Sequence, residues 1–156
     1  MNQPTPADFH RITGEALSHG IAGDRMRGVA LLQPLVDAGP LSTFALLGGL
    51  AEVAAHTALQ NQLPGETFGL PVNNVLTGEP ASADVLPPPL RFAAQFVTTW
   101  ANRDRDTARA LFETFAFESD RTGSPDLAEA IGLVYDMAVT TGAEVVRQAR
   151  QERRKA

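Results

Sequence analysis

The sequence predicts an all-α fold, and three observations carry that prediction. Apolar residues recur at three- and four-residue spacing in six segments, each bounded by a capping residue, a proline or a glycine. No segment sustains the two-residue alternation of a half-buried strand. The chain has 156 residues, 44% apolar and 20% charged, enough to bury the core of one domain or of two small halves that share it.

The first helix is predicted from about Pro6 to His19. Thr5 is its N-cap, Pro6 suits its first position, and Phe9, Ile12, Ala16 and Leu17 form its stripe. The second runs from Arg25 to Asp37 behind Asp24, with Val29, Leu31, Leu32, Leu35 and Val36 apolar and Pro34 inside it. The third is expected from Thr43 to Gln60, capped by Ser42, and is apolar nearly all round, as buried helices are. The fourth spans Leu90 to Ala101. The fifth spans Arg105 to Phe117 behind Asp104 or Asp106. The sixth starts at Pro125, capped by Ser124, and reaches about Arg153. Its residues Leu127, Ile131, Val134, Ala138, Gly142, Val145 and Ala149 alternate steps of four and three, a seam that faces another helix. The third and sixth helices are expected at the centre.

A proline-rich stretch, 63–87, separates possible halves 1–62 and 88–156. It carries Phe68, Leu70, Val72, Val75 and Leu76, which points to an ordered strap over the helices. The two halves align. Arg11, Ile12, Leu17, Asp24-Arg25 and Ala30-Leu31-Leu32 match Arg91, Phe92, Val97, Asp104-Arg105 and Ala110-Leu111-Phe112. Four extra residues near Glu118–Arg121 then bring Gly39, Leu47, Gly48, Leu50 and Ala54 onto Gly123, Ile131, Gly132, Val134 and Ala138. This implies two three-helix units whose paired glycines mark the crossing of the long helices.

Composition excludes several classes. With no cysteine there is no disulfide, thiolate metal site or cysteine nucleophile. No run reaches the roughly 18 apolar residues of a membrane span. The N-terminus lacks the basic start and apolar core of a secretion signal, so a cytoplasmic location is expected. Lys155 is the only lysine, and with abundant Ala, Gly and Pro this points to a GC-rich bacterial genome. From Gly28 to Leu90 there is no Lys or Arg but five acids, which account for the net charge of −5. The helix after Gly39-Pro40 therefore lacks the basic face that a DNA groove or an RNA backbone requires, and nucleic acid is not an expected partner.

Few residues suggest chemistry. His56 stands four residues after Glu52, a spacing that shares one helix face, and the two are the candidate metal ligands. It departs from the three-residue Glu-x-x-His spacing of carboxylate-bundle metal sites. Asp104, Asp106, Glu113, Glu118 and Asp120 alternate with Arg103, Arg105 and Arg109, a salt-bridged solvated face. Phe92, Phe96, Trp100, Phe112 and Tyr135 are the candidate lining of a pocket between the halves. Arg147, Arg150, Arg153 and Arg154 make the C-terminal tip basic and are the candidate docking residues for an acidic partner. Phosphate-loop, dinucleotide, Gly-x-Ser-x-Gly and His-Glu-x-x-His patterns are absent, and no cofactor is expected. The reading is a non-enzymatic helical interaction protein, binding a protein partner or itself as a homodimer. The alternative is a small-ligand or metal-binding helical protein, an enzyme included.

Overall fold

The computed structural model describes residues 3–61 and 85–156, and among them it contains seven helices and no strand. The helices are α1 (Pro6–Ile21), α2 (Arg25–Asp37), α3 (Pro40–Ala54), α4 (His56–Asn61), α5 (Pro88–Ala101), α6 (Arg105–Thr122) and α7 (Asp126–Lys155). The all-α class stands, with one helix more than the six expected. Most of the expected strap, 63–87, lies outside the described residues. No helix among the described residues is long and apolar enough to cross a membrane.

The helix starts follow from capping chemistry. Thr5 Oγ1 accepts from the Asp8 N–H at 3.1 Å and Asp8 returns a carboxylate oxygen to the Thr5 N–H at 3.0 Å, a capping box. Asp24 and Asp104 cap α2 and α6 by accepting from the Arg27 and Thr107 N–H groups. Three expected starts move; the fourth expected helix begins at Pro88, as α5, and not at Leu90. The third helix begins at Pro40, not Thr43, because Gly39 takes a φ of 117° and proline fits the first helical position; Ser42 is buried inside the first turn and caps nothing. The last helix begins at Asp126, where Ser124 Oγ still accepts the Asp126 N–H at 3.1 Å.

Two ends also move. The third helix breaks at Ala55, and α4 is a separate short helix beginning at His56. α6 runs a turn and a half beyond Phe117 and stops at Gly123, whose φ of 65° is the left-handed cap that glycine adopts freely.

The two helical hairpins are built alike. Between α1 and α2, the N–H groups of Ala22, Gly23 and Asp24 donate to Ser18, Gly20 and His19; between α5 and α6, those of Asn102, Arg103 and Asp104 donate to Thr98, Trp100 and Thr99. The middle residue is left-handed in both turns, Gly23 at φ 93° and Arg103 at φ 62°. The hairpins then pack on the two long helices: α1 lies on α7, α5 lies on α7 and on α3, and α3 packs along α7 in the broadest contact between the two halves. Buried Leu46, Leu47, Leu50 and Ala51 of α3 stand at the aligned positions of buried Ala130, Ile131, Val134 and Tyr135 of α7.

The aligned glycines do not mark the α3–α7 crossing. Gly48 is covered by the indole of Trp100 from α5, and the nearest atom to a side chain at Gly132 is Arg25 Nη2 from α2. Glycines do permit a close approach elsewhere, where Gly28 of α2 faces Ala16 O of α1 and the Tyr135 hydroxyl. Tyr135 is fully buried, and its hydroxyl donates to Ala16 O at 2.6 Å while lying directly against Gly20 and Gly28. Burial pushes this phenol above its ordinary pKa, and neighbouring Asp136 adds to the shift.

Gly28→Ala should therefore cost about 2–3 kcal/mol, because its Cβ would strike both the Tyr135 hydroxyl and the Ala16 carbonyl. Gly14→Ala, with open space around its Cβ in exposed α1, should stabilise by about 0.5–1 kcal/mol. Urea denaturation of the two variants measures both signs. A pH dependence follows from the caps. Hydrogen bonds from Thr5 hold Asp8, and those from Thr107 hold Asp104, below the ordinary value of 3.8. These caps stabilise the folded form above that value and lose their contribution as pH falls through the depressed folded value. Amide protection factors, measured relative to the intrinsic rate at each pH, should fall first in the first turns of α1 and α6 on acidification.

Candidate functional site

The candidate residues fall into three places. The first is an aromatic cluster. Phe92, Phe96, Trp100 and Phe112 gather with Phe44 and Phe115: Phe92 stacks on Phe115 with centroids 4.4 Å apart, and Phe44 lies 5.6–6.0 Å from Phe96, Trp100 and Phe112. Phe92, Phe96 and Phe112 are buried core. Tyr135, expected among them, belongs instead to the packing of α7 against α1 and α2. Of the five, Phe92 lines a groove of about 360 Å³ between α5 and α6, and Tyr135 lines a different cavity, of about 460 Å³, between α2, α6 and α7.

The second place is Glu52. Its carboxylate accepts from Trp100 Nε1 at 2.9 Å and from Arg103 Nη1 at 3.2 Å, with Arg105 Nη2 at 3.9 Å. The Arg105 guanidinium lies 3.6 Å over the Trp100 ring and donates to Trp100 O at 3.0 Å. Partial burial lowers the Arg105 pKa, and Glu52 opposes that. Both Glu52 oxygens are thus taken by donors. His56 is exposed at the start of α4, beyond the break at Ala55, so one continuous helix does not carry Glu52 and His56 together. Among the described residues no three His, Asp or Glu side chains are grouped to hold a metal ion.

The Glu52 node has a counterpart. Arg25 at the start of α2 grips Asp136 of α7 with two bonds, Nε to Oδ1 at 2.6 Å and Nη2 to Oδ2 at 2.9 Å. The bonds to Asp136 raise the Arg25 pKa. In the alignment of the halves, Arg25 stands on Arg105 and Asp136 on Glu52. Each half therefore ties the start of its second helix to the other half's third helix. The expected acidic face on α6 is used piecemeal: Asp104 caps, Glu118 pairs with Arg121, and Arg109 lies over Phe44.

The third place is the far end of α7. Every residue from Arg147 onward is exposed. Thr141 Oγ1 donates to Ala54 O at 2.9 Å, so α3 ends level with Thr141 and α7 continues past it. A groove of about 720 Å³ lies between this end and the C-terminus of α1. Ile21, Ala22, Ala143 and Val146 give it an apolar floor, and Arg147, Arg150 and Arg154 line one side. Arg147 is held by Glu144 at 2.6 Å. Arg150, Arg153 and Arg154 form no ion pair among the described residues.

The 460 Å³ cavity was not foreseen. Its wall includes Ala128 and Asp120, and the internal alignment itself contains the signal, since it sets Ala128 where the other half has Phe44. No protein-family model matches the chain, and no curated protein or solved structure compared with it matches either.

Glu52→Ala should cost about 1–2 kcal/mol, because it strips an acceptor from Trp100 and a partner from two arginines in a partly exposed network. His56→Ala should change stability by less than about 0.5 kcal/mol. Chemical denaturation of the pair separates a structural Glu52 from a metal-linked one; equal losses would argue against this assignment.

Proposed function

We propose that the chain is a non-enzymatic helical interaction protein that captures an acidic, partly apolar segment of a protein partner in the groove between α1 and the free end of α7. The observation that carries this reading is the pairing of an apolar floor with unpaired arginines. Ile21, Ala22 and Val146 offer area to bury, and Arg150 and Arg154 flank it with charges that no described residue neutralises. Such a surface fits carboxylates spaced by apolar side chains. A nucleic acid fits less well, because the remaining chain is acidic overall and the cations do not continue as a face. A second copy of the chain is the alternative occupant, and would make the working form a homodimer.

The test uses a fluorescein-labelled peptide of alternating Leu and Glu, followed by anisotropy, with Arg150→Glu/Arg154→Glu as the variant. Saturable binding that weakens about tenfold or more in the variant, and weakens with added salt, supports the proposal. Absence of binding by the folded wild type, or equal binding by the variant, overturns it. Equal affinity for single-stranded DNA of the same charge would move the reading to nucleic acid. Sedimentation equilibrium reads the remaining case: a dimer that the same two replacements dissociate would make the second copy the occupant.

A further inference from the structure

The internal repeat exposes a place that one half fills and the other leaves open. In the filled half, Phe44 of α3 sits between Phe96, Trp100 and Phe112, with the Arg109 guanidinium 5.1 Å from its ring. At the aligned positions in the other half stand Ala128, Ala16, Gly20, Leu32 and Val29. Every one of these is smaller. Tyr135, aligned with Ala51, recovers volume only on the side toward Ala16, Gly20 and Gly28. What remains is the cavity of about 460 Å³, a volume suited to a small molecule and lined by Ala128, Leu32, Val29 and Tyr135 among others.

The cavity also has a wall that its filled twin lacks. The four residues of α6 without counterpart in α2, near Glu118–Arg121, extend that helix past the level where α2 ends. This extra turn brings Ser119 and Asp120 to the cavity. Ser119 is spent inside the fold: its hydroxyl donates to Ser124 O at 2.8 Å and accepts from the Leu127 N–H at 3.2 Å. Asp120 is exposed at the cavity rim; its carboxylate has no hydrogen-bond or ion-pair partner among the described residues, and no Lys or Arg lines the cavity.

We infer that this cavity is a binding site for a small molecule that carries one aromatic ring and an ammonium group. The ring takes the place that Phe44 fills in the other half, against Leu32 and Val29. The ammonium meets Asp120. This inference rests on the cavity and the repeat, not on the groove at the end of α7.

The probe is 2-phenylethylamine, titrated into the wild-type protein and followed by amide chemical shifts. Saturable shifts centred on 127–135 are expected, with an affinity in the range of about 0.1–1 mM for so small a ligand. Asp120→Asn should weaken binding about fivefold, the loss of one partly exposed charge pair. Ala128→Phe should abolish it by supplying the ring from the chain itself. Thermal melting establishes that the variant folds, and Ala128→Leu serves if it does not. Three results overturn the inference: no saturable shift up to about 10 mM ligand, undiminished binding when Ala128 is enlarged, or 2-phenylethanol binding as tightly as the amine.

Discussion

Three helices meet at one buried hydroxyl. Tyr135 enters from α7, donates to the carbonyl of Ala16 in α1, and lies against the glycines of α1 and α2. A phenol this deep needs a partner, because an unsatisfied buried hydroxyl costs more than the bond returns when made. The carbonyl it uses already serves the α1 ladder and has a second lone pair to give. Gly20 and Gly28 make the approach possible, since a methyl group at either would occupy the same space as the tyrosine ring or its hydroxyl. This contact fixes α1, and α2 packed against it, to one point on α7. The other half solves the same problem with exchanged partners: there the large residue, Trp100, comes from α5, and the small one, Gly48, from α3.

The polar ties obey the same logic of matched ends. Arg25–Asp136 and Arg105–Glu52 are partly exposed, so each stabilises modestly. Their value lies in register, because each fixes the start of one helix against a single turn of another. The second tie is more elaborate, drawing in Trp100 and Arg103. Arg103 holds a left-handed backbone at φ 62°, where its counterpart is Gly23. That conformation costs a side-chain-bearing residue about 1–2 kcal/mol, and the bonds from its guanidinium to Glu52 offset part of that cost.

Much of this was legible in the sequence. Thr5-Pro6, Asp24 and Asp104 announced their helix starts because capping is local chemistry. The likeness of the two hairpins is legible because their caps and apolar positions match along one chain. What was not legible depended on distant partners. Nothing local marks the break at Ala55, where neither glycine nor proline stands. The apolar stripe of α6 stops near Phe117, so periodicity alone ends the helix early; polar bonds carry the last turns, with Thr122 donating to Glu118 O and Arg121 gripping Glu118. Of the candidate pocket residues, Phe92, Phe96, Trp100 and Phe112 gather in one aromatic cluster, whereas Tyr135 packs elsewhere. Periodicity says which face of α7 is apolar, but not which helix covers it.

The length of α7 has a consequence for recognition. Its first half is held by α3, α5 and α1, whereas from Arg147 onward every residue is exposed. An isolated end frays unless local terms hold it. Here Glu144 binds Arg147 and Gln148 within one turn, and Arg153, Arg154 and Lys155 complement the negative end of the helix dipole. The end of α7 is therefore already helical before anything docks on it, with Arg150 and Arg154 one turn apart on the same face. A partner meeting this surface orders its own chain but does not have to order the helix, so more of the contact energy remains as affinity. Of the acids near this end of α7, Glu144 is engaged by Arg147 and Gln148, and Glu152 forms no ion pair with Arg150 or Arg154 among the described residues. The guanidiniums of Arg150 and Arg154 that line the groove are thus left without an ion pair among the described residues.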